Sequence, residues 1–341
     1  MPQISDIGID LGTSQVLVYA RGRGIVLREP AVVAADRTNG KVLAVGAEAY
    51  KLVGRTPGNV QAIRPFRQGT ISDFEMAKEL IHYAVRRVSG RHFLTRPRAI
   101  VSLPTGVSET EKRAVISVLF DAGMRKTQLL EKPLAAAIGI GIHFAEPYGS
   151  MMIDMGAGAS DIAVLSSSDV VVGTCTQIGG DYFDDAIIRY LRKKHNLLIG
   201  DRTAEEVKMT LGSAVPPPNE LTMDVTGRNL LSGLPRTQSI TNLEVYEALK
   251  DVISDFIETI QQVLEHTPPQ LASDIFEDGI ILTGGASQLQ GLSDAIYREL
   301  RIATGVADDP ATAVVVGCGR ALEDTPEMRS YLHENSRYRY L

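Results

Sequence analysis

Residues Ile9 to Thr13, reading apolar, Asp, apolar, Gly, small, return 144 positions later as Ile153 to Ala157. Each copy ends a β-branched run, and its glycine permits a tight turn into a second strand. Two such turns brought face to face, each with a carboxylate and outward-pointing backbone N–H groups, would clamp a phosphate chain from both sides. Two unrelated hairpins are the plainer alternative, since Asp and Gly are ordinary turn residues. A unit repeated at this distance calls for two domains, and 341 residues are enough for two cores.

Charged residues at 22% and hydrophobic ones at 44% describe a globular chain rather than a disordered one. Its net charge of -6 gives no overall attraction to a phosphate backbone, so nucleic acid is not the expected partner. Cys175 and Cys318 lack the spacing of a zinc site or a disulfide framework, which points to a reducing cytoplasm. No signal-peptide pattern opens the sequence, and no run approaches the length of a membrane span.

Strand patterns fall at Ile7–Ile9, Val16–Tyr19, Ala99–Leu103, Met151–Asp154, Asp161–Leu165, Val170–Thr174 and Gly279–Thr283. Helical periodicity predicts helices near Phe74–Val88, Glu109–Ala122, Ala135–His143, Phe183–His195, Leu243–Leu264, Leu292–Leu300 and Ala311–Leu322. The class is therefore α/β. Loop signals cluster at Pro216 to Asn219, Gly227 to Pro235, and Pro268 and Pro269. A small inserted subdomain is expected around Glu205 to Thr241, and residues 325–341 read as a partly ordered tail.

Around the first turn, Gly12, Thr13 and Ser14 offer amides and hydroxyls suited to a β-phosphate; Asp10 and Asp154 are the hard oxygen ligands that Mg²⁺ prefers, through retained waters. A third glycine pair, Gly284 and Gly285 with Ala286 and Ser287, would let the backbone pass close to a flat ring or an α-phosphate. A bland strand-to-helix turn accounts for it equally well.

Together these segments resemble the actin and sugar-kinase superfamily of ATPases. The motifs in order are Asp10 to Thr13, Glu131 to Gly139, Asp154 to Gly158, Gly179 to Asp181 and Leu282 to Ala286. More narrowly, Ile63 to Pro65 with Gly69 to Asp73, Gly200 to Glu205 with Lys208, Ser232 to Arg236 and Thr267 to Leu271 are similar to connecting segments of the MreB family of bacterial actins, over residues 5–323. The resemblance implies an actin-like fold: two related RNase H-like domains, each with a smaller inserted subdomain, around a nucleotide cleft. Residues 1–148 would form domain I, with its insert at 33–65, and 149–324 domain II, with its insert at 182–242, the segment 311–323 returning to domain I.

It also implies an ATP- and ADP-binding protein that polymerises into antiparallel double filaments beneath the cytoplasmic membrane and guides wall synthesis and cell shape with membrane-protein partners. By position, Gly12 to Gln15 and Gly156, Ala157 and Gly158 would hold phosphates, with Gly180 and Asp181 beside them. Glu205 and Lys208 would hold the ribose, and Gly284 to Ser287 the adenosine. As a bare i,i+3 pair, without the resemblance, Glu205 and Lys208 read first as an exposed helix face.

The chain departs from the family where hydrolysis is organised. Lys132 stands where the family has the Glu, before a Pro, that orients the attacking water; Ala159 replaces a Thr that assists; and Ala157 replaces the middle glycine of a triplet. Neighbouring helical residues point about 100° apart, so Glu131 cannot stand in for position 132 without a shifted helix start. Weak or absent hydrolysis is the expectation, in a slowly cycling filament, a non-cycling scaffold or a copolymer partner of a paralogue. Alternatively, Lys132 points to solvent and Glu131 restores catalysis. A small-molecule kinase on the same fold is a more distant reading, since no extra catalytic Asp motif is evident.

Finally, Phe93 and Leu94 sit in a loop ringed by Arg86, Arg87, Arg91, Arg96 and Arg98, which the family uses as a membrane contact. Insertion among anionic headgroups suits that pattern, and so does packing of both residues under their own hairpin.

Overall fold

The computed structural model describes residues 6–55, 58–67, 69–89, 97–124, 126–323 and 328. Phe93, Leu94 and nearly all of the 325–341 tail lie outside the described residues.

Domain I opens with a meander of β1 (Ile7–Leu11), β2 (Gln15–Ala20) and β3 (Gly24–Pro30). A small unit follows: β4 (Val33–Asp36), β5 (Val42–Val45), α1 (Ala47–Tyr50) and β6 (Val60–Ile63), packed on Val32, Ala34 and Ala49. A short ribbon, β7 (Phe66–Arg67) with β8 (Thr70–Ile71), leads to α2 (Phe74–Ser89). Next come β9 (Arg98–Leu103), α3 (Glu109–Asp121), β10 (Lys126–Glu131) and α4 (Lys132–Ile140).

Domain II repeats the plan. Its meander is β11 (Ser150–Met155), β12 (Ser160–Ser166) and β13 (Asp169–Thr176), followed by α5 (Gly180–His195). The small unit holds β14 (Leu197–Leu198), α6 (Asp201–Leu211), β15 (Thr222–Asn229) and β16 (Pro235–Thr241). Then come α7 (Asn242–Glu265), α8 (Pro269–Asp278), β17 (Ile280–Thr283), α9 (Leu292–Leu300), β18 (Thr304–Val306) and α10 (Ala313–Arg320).

The two large sheets have the same topology. One runs β3-β2-β1-β9-β10 and the other β13-β12-β11-β17-β18. In each, the meander is antiparallel and the last two strands run parallel to the first. The echo therefore marks equivalent positions at the ends of β1 and β11, and the reading as unrelated hairpins fails.

Each sheet buries one face in its own core, Ile7, Ile9 and Val101 in domain I and Ile153, Ile162 and Phe256 in domain II. A third apolar cluster joins them through α4 and α10, which pack on Ile100, Met152 and Leu165. The crossing of these two helices is close because of glycine. A Cβ on Gly139 would strike the Ala313 carbonyl, and one on Gly317 the Ala135 carbonyl. Helix α10 also packs on β1 and β9 of domain I.

Several local expectations shift. The helix expected at Ala135–His143 begins at Lys132, because Glu131 is extended at the N-cap and Pro133 presets the first turn. The helix expected at Ala311–Leu322 is a 3-10 turn, Pro310–Thr312, followed by α10. Pro268 and Pro269, taken as loop signals, instead start α8, since a first-turn residue needs no intrahelical N–H bond. Gly279 ends α8 with φ 93° and does not belong to the following strand.

Candidate functional site

A cleft of about 430 Å³ opens between the domains and is lined by both repeated turns. In each turn the glycine N–H donates back across the bend, Gly12 to the Gln15 carbonyl at 3.0 Å and Gly156 to the Ala159 carbonyl at 2.9 Å. A side chain at Gly12 would meet that same Gln15 oxygen. The turns also touch each other, because a Cβ on Gly158 would collide with the Thr13 side chain. Among the described residues, no backbone bond outside the strands and helices uses the N–H groups of Thr13, Ser14, Ala157 or Gly158. Opposed amides of this kind suit an anion lying between the domains.

The two aspartates are held alike. Asp10 lies opposite Ser102 in the β1–β9 register, and the Ser102 hydroxyl donates to its Oδ1 at 2.7 Å. Asp154 lies opposite Thr283 in the β11–β17 register, and that hydroxyl, 3.3 Å from its Oδ1, is divided between it and the Ile153 carbonyl. Asp161, across the β11–β12 pair from Asp154, accepts the Thr105 N–H of domain I at 2.6 Å. Sequence reading missed Ser102 and Asp161 and gave Thr283 no role inside its Leu282 to Ala286 motif, since only strand register brings the three side chains to the site.

Lys132 does not point to solvent. It is a lining residue of the cleft, and its ammonium sits 3.6 Å from Asp10 Oδ1. Burial pulls its pKa down, but Asp10, Asp154 and Asp161 more than reverse this and hold it above the ordinary lysine range. Burial pushes Asp154 up to about 6 and Asp161 up to about 7, with Lys132 opposing both. Glu131 is not among the lining residues; burial raises its carboxyl, and its Oε2 has no hydrogen-bond partner among the described residues. Ala159 lines the cleft beside Gly69 and Pro104 and presents only a methyl group.

The remaining expected residues divide. Gln15, Ala157, Gly180, Glu205, Lys208, Gly284, Gly285 and Ala286 all line the cleft. Gly284 has φ 83° and abuts the Met155 backbone, whereas a Cβ on Gly285 would enter open space. Asp181 and Ser287 are not lining residues. The Asp181 N–H donates to the Ala157 carbonyl at 2.7 Å, while its carboxylate faces Arg64 of domain I at 3.4 Å. Ser287 is buried and donates to its own turn at the Gly284 carbonyl. Lys208 is not paired with Glu205; its ammonium donates to the Gly180 carbonyl and to Asp184, each at 2.9 Å. That bond ties α6 to the start of α5. Met209, Leu289 and Pro310 add apolar lining that carried no motif signal.

The donor set does not fit a Mg²⁺ held directly by protein. The Lys132 ammonium stands 3.6 Å from Asp10, and no group of three or more His, Cys, Asp or Glu able to hold a metal exists among the described residues.

A model of the MreB/Mbl protein family matches residues 4–330. Cell shape-determining protein Mbl of Bacillus cereus is 42% identical over 319 residues, 94% of this chain and 96% of that protein. Cell shape-determining protein MreB of Escherichia coli is 42% identical over 324 residues, 94% and 93% of the two chains. Crystal structures of MreB5 of Spiroplasma citri are similar at 34% identity. The ADP-bound form has a TM-score of 0.89 over 94% of this chain and 96% of that one, and the AMPPNP-bound form has 0.88 over 93% and 95%. The MamK double helical filament, at 20% identity, has a TM-score of 0.79 over 94% and 99%, a likeness of fold. With this two-domain actin-like architecture, the chain belongs to the MreB/Mbl family of bacterial actin homologues.

Proposed function

We propose that this chain binds ATP and ADP between its domains and polymerises into filaments that govern cell shape, with weak or absent hydrolysis. The carrying observation is the pair of opposed turns: Thr13, Ser14, Ala157 and Gly158 line the cleft from two domains, and among the described residues no backbone bond outside the strands and helices uses their N–H groups. A relative that binds ADP and AMPPNP, and an actin-like neighbour assembled as a filament, support the reading. Gly12 to Gln15 and Gly156 to Gly158 would hold the phosphates, Glu205 and Lys208 would bound the ribose side, and Gly284 to Ala286 the base. The expectation that Asp10 and Asp154 meet Mg²⁺ through its waters is not carried into this reading, because the Lys132 ammonium already faces Asp10.

Hydrolysis needs a water held in line with the terminal phosphate. At the positions that orient it in the family, this cleft presents the Lys132 ammonium and the Ala159 methyl. An ammonium donates and cannot accept a proton, so it favours phosphate oxygen over an activated water. Wall-synthesis partners and antiparallel double filaments belong to the proposal through the family. So does a place at the inner membrane surface, by peripheral attachment through the segment holding Phe93 and Leu94. No helix among the described residues is long and apolar enough to cross a membrane.

Sedimentation with ATP, ADP or no nucleotide, with phosphate release followed in the same tubes, tests the core of this reading. Nucleotide-dependent pelleting with little phosphate release is expected, and the Lys132→Glu, Ala159→Thr double variant should release phosphate at least about tenfold faster. Rapid release by the unaltered chain would defeat the weak-hydrolysis part; failure to pellet with any nucleotide would defeat the filament.

A further inference from the structure

We propose that Lys132 is the resident counter-cation of the cleft, so that this chain holds a nucleoside triphosphate without requiring a divalent ion. The inference rests on the nucleotide reading above and concerns what neutralises charge at that site.

A polyphosphate entering the cleft brings several negative charges toward a floor that already carries Asp10, Asp154 and Asp161. Like charges in a half-enclosed, low-dielectric space repel strongly unless a cation stands between them. A hydrated Mg²⁺ is the usual solution, because hard carboxylate and phosphate oxygens both suit it. Here the cation is covalently attached. The Lys132 side chain is 11% exposed and its Asp10 partner 14%, with 3.6 Å between charged atoms.

The ammonium has no easy way out. Lys132 is the first residue of α4, Pro133 follows it, and every residue from Lys132 to Ile138 is buried. Swinging the chain toward solvent would require moving a helix start packed between the two domains. Nor can Asp10 turn away from it freely, since the Ser102 hydroxyl holds its carboxylate at 2.7 Å. A second cation at the same carboxylates would meet the ammonium's repulsion as well as the loss of its own hydration. An ammonium also has three donors, so facing Asp10 leaves further N–H groups for phosphate oxygens in the cleft.

This differs from the expectation that Asp10 and Asp154 organise Mg²⁺ and recruit it for nucleotide binding. With Lys132 in place, removing free Mg²⁺ leaves the neutralising charge behind. Without Lys132, the floor regains an unbalanced negative charge and a metal becomes necessary.

The test is equilibrium titration of the full-length chain with a fluorescent ATP analogue at about pH 8, once in excess Mg²⁺ and once in EDTA. The unaltered protein should show dissociation constants within about threefold of each other, whereas Lys132→Met should bind at least about tenfold more weakly in EDTA than in Mg²⁺. Lys132→Arg keeps the charge and should stay close to the unaltered protein. A tenfold loss in EDTA by the unaltered chain would overturn the proposal even if Lys132→Met failed to fold. The same small ratio in a folded Lys132→Met variant would also overturn it. Binding absent in both buffers would overturn the nucleotide reading itself, an outcome distinct from binding that merely needs Mg²⁺.

Discussion

Among single residues, the two Asp-containing turns were legible in the sequence because glycine is required there for a physical reason, and the repeat doubled the signal. That Lys132 and Ala159 break the family pattern was equally plain. The surroundings of Lys132 were not, because its three carboxylate neighbours come from β1, β11 and β12 and meet only through sheet pairing. That setting has a measurable consequence. Asp154 and Asp161 are raised by burial to about 6 and 7, so the folded state binds their protons more readily than the unfolded chain does. Each therefore opposes folding increasingly as pH rises from about 4 through its folded pKa, and Lys132 limits that penalty. Lys132→Met should cost about 3 kcal/mol at pH 8 and distinctly less at pH 6. Thermal unfolding of the nucleotide-free protein at both pH values would show it, and an equal loss at each pH would mean that the carboxylates do not feel the ammonium.

For the secondary-structure elements, legibility followed periodicity only in part, since α6 buries Ala204, Val207 and Leu211 along one face and yet was not read as a helix, nor was α8 behind its two prolines. The helices α2, α3, α5, α7 and α9 were readable because each has a regular apolar face, whereas α1 has only four residues, Ala47–Tyr50. The strands β15 and β16 escaped notice because their inward side carries few apolar residues, Met223 and Val225 in β15 and Ile240 in β16. Their pairing comes instead from the turn at Asn229 to Leu234 and from Val225 and Ile240 reaching the domain II core. The boundary of α7 is set by local chemistry. Thr241 accepts the Glu244 N–H while Glu244 accepts the Thr241 N–H, a reciprocal cap, and Glu244 also faces His195 of α5 at 2.7 Å. Thr241→Ala should therefore lower stability by about 1 kcal/mol, read as a lower urea midpoint with unchanged slope. An unchanged midpoint would show that tertiary packing alone fixes this helix start.

Across the whole molecule, one topology used twice gives a cleft whose two walls present the same turn, with α10 returning to bind the walls at their base. The base is apolar and tightly crossed, so the cleft can open only at the far side, between the small units. There the Arg202 guanidinium of α6 lies over the Tyr50 ring of α1, 5.2 Å from its centroid, and nearer the phosphate turn an ion pair crosses the gap from Arg64 after β6 to Asp181 on the first turn of α5, at 3.4 Å. The Arg64 side chain is 23% exposed and that of Asp181 42%, so solvent screens the pair and its contribution is at most about 1 kcal/mol. A contribution of that size would not determine the fold, yet it acts where the two halves must part for nucleotide to leave. It should therefore appear as a rate. Arg64→Ala should speed release of a fluorescent nucleotide by about two- to fivefold, with Asp181→Asn doing the same. The double change should add little to either single one, because both remove one interaction. Asp181 also donates its backbone N–H to the Ala157 carbonyl, a bond that Asp181→Asn leaves intact, so the comparison isolates the side-chain pair from the phosphate turn. Release rates unmoved by all three variants would remove this ion pair from the barrier and leave it to the Arg202–Tyr50 contact at the mouth and the α4–α10 crossing at the base.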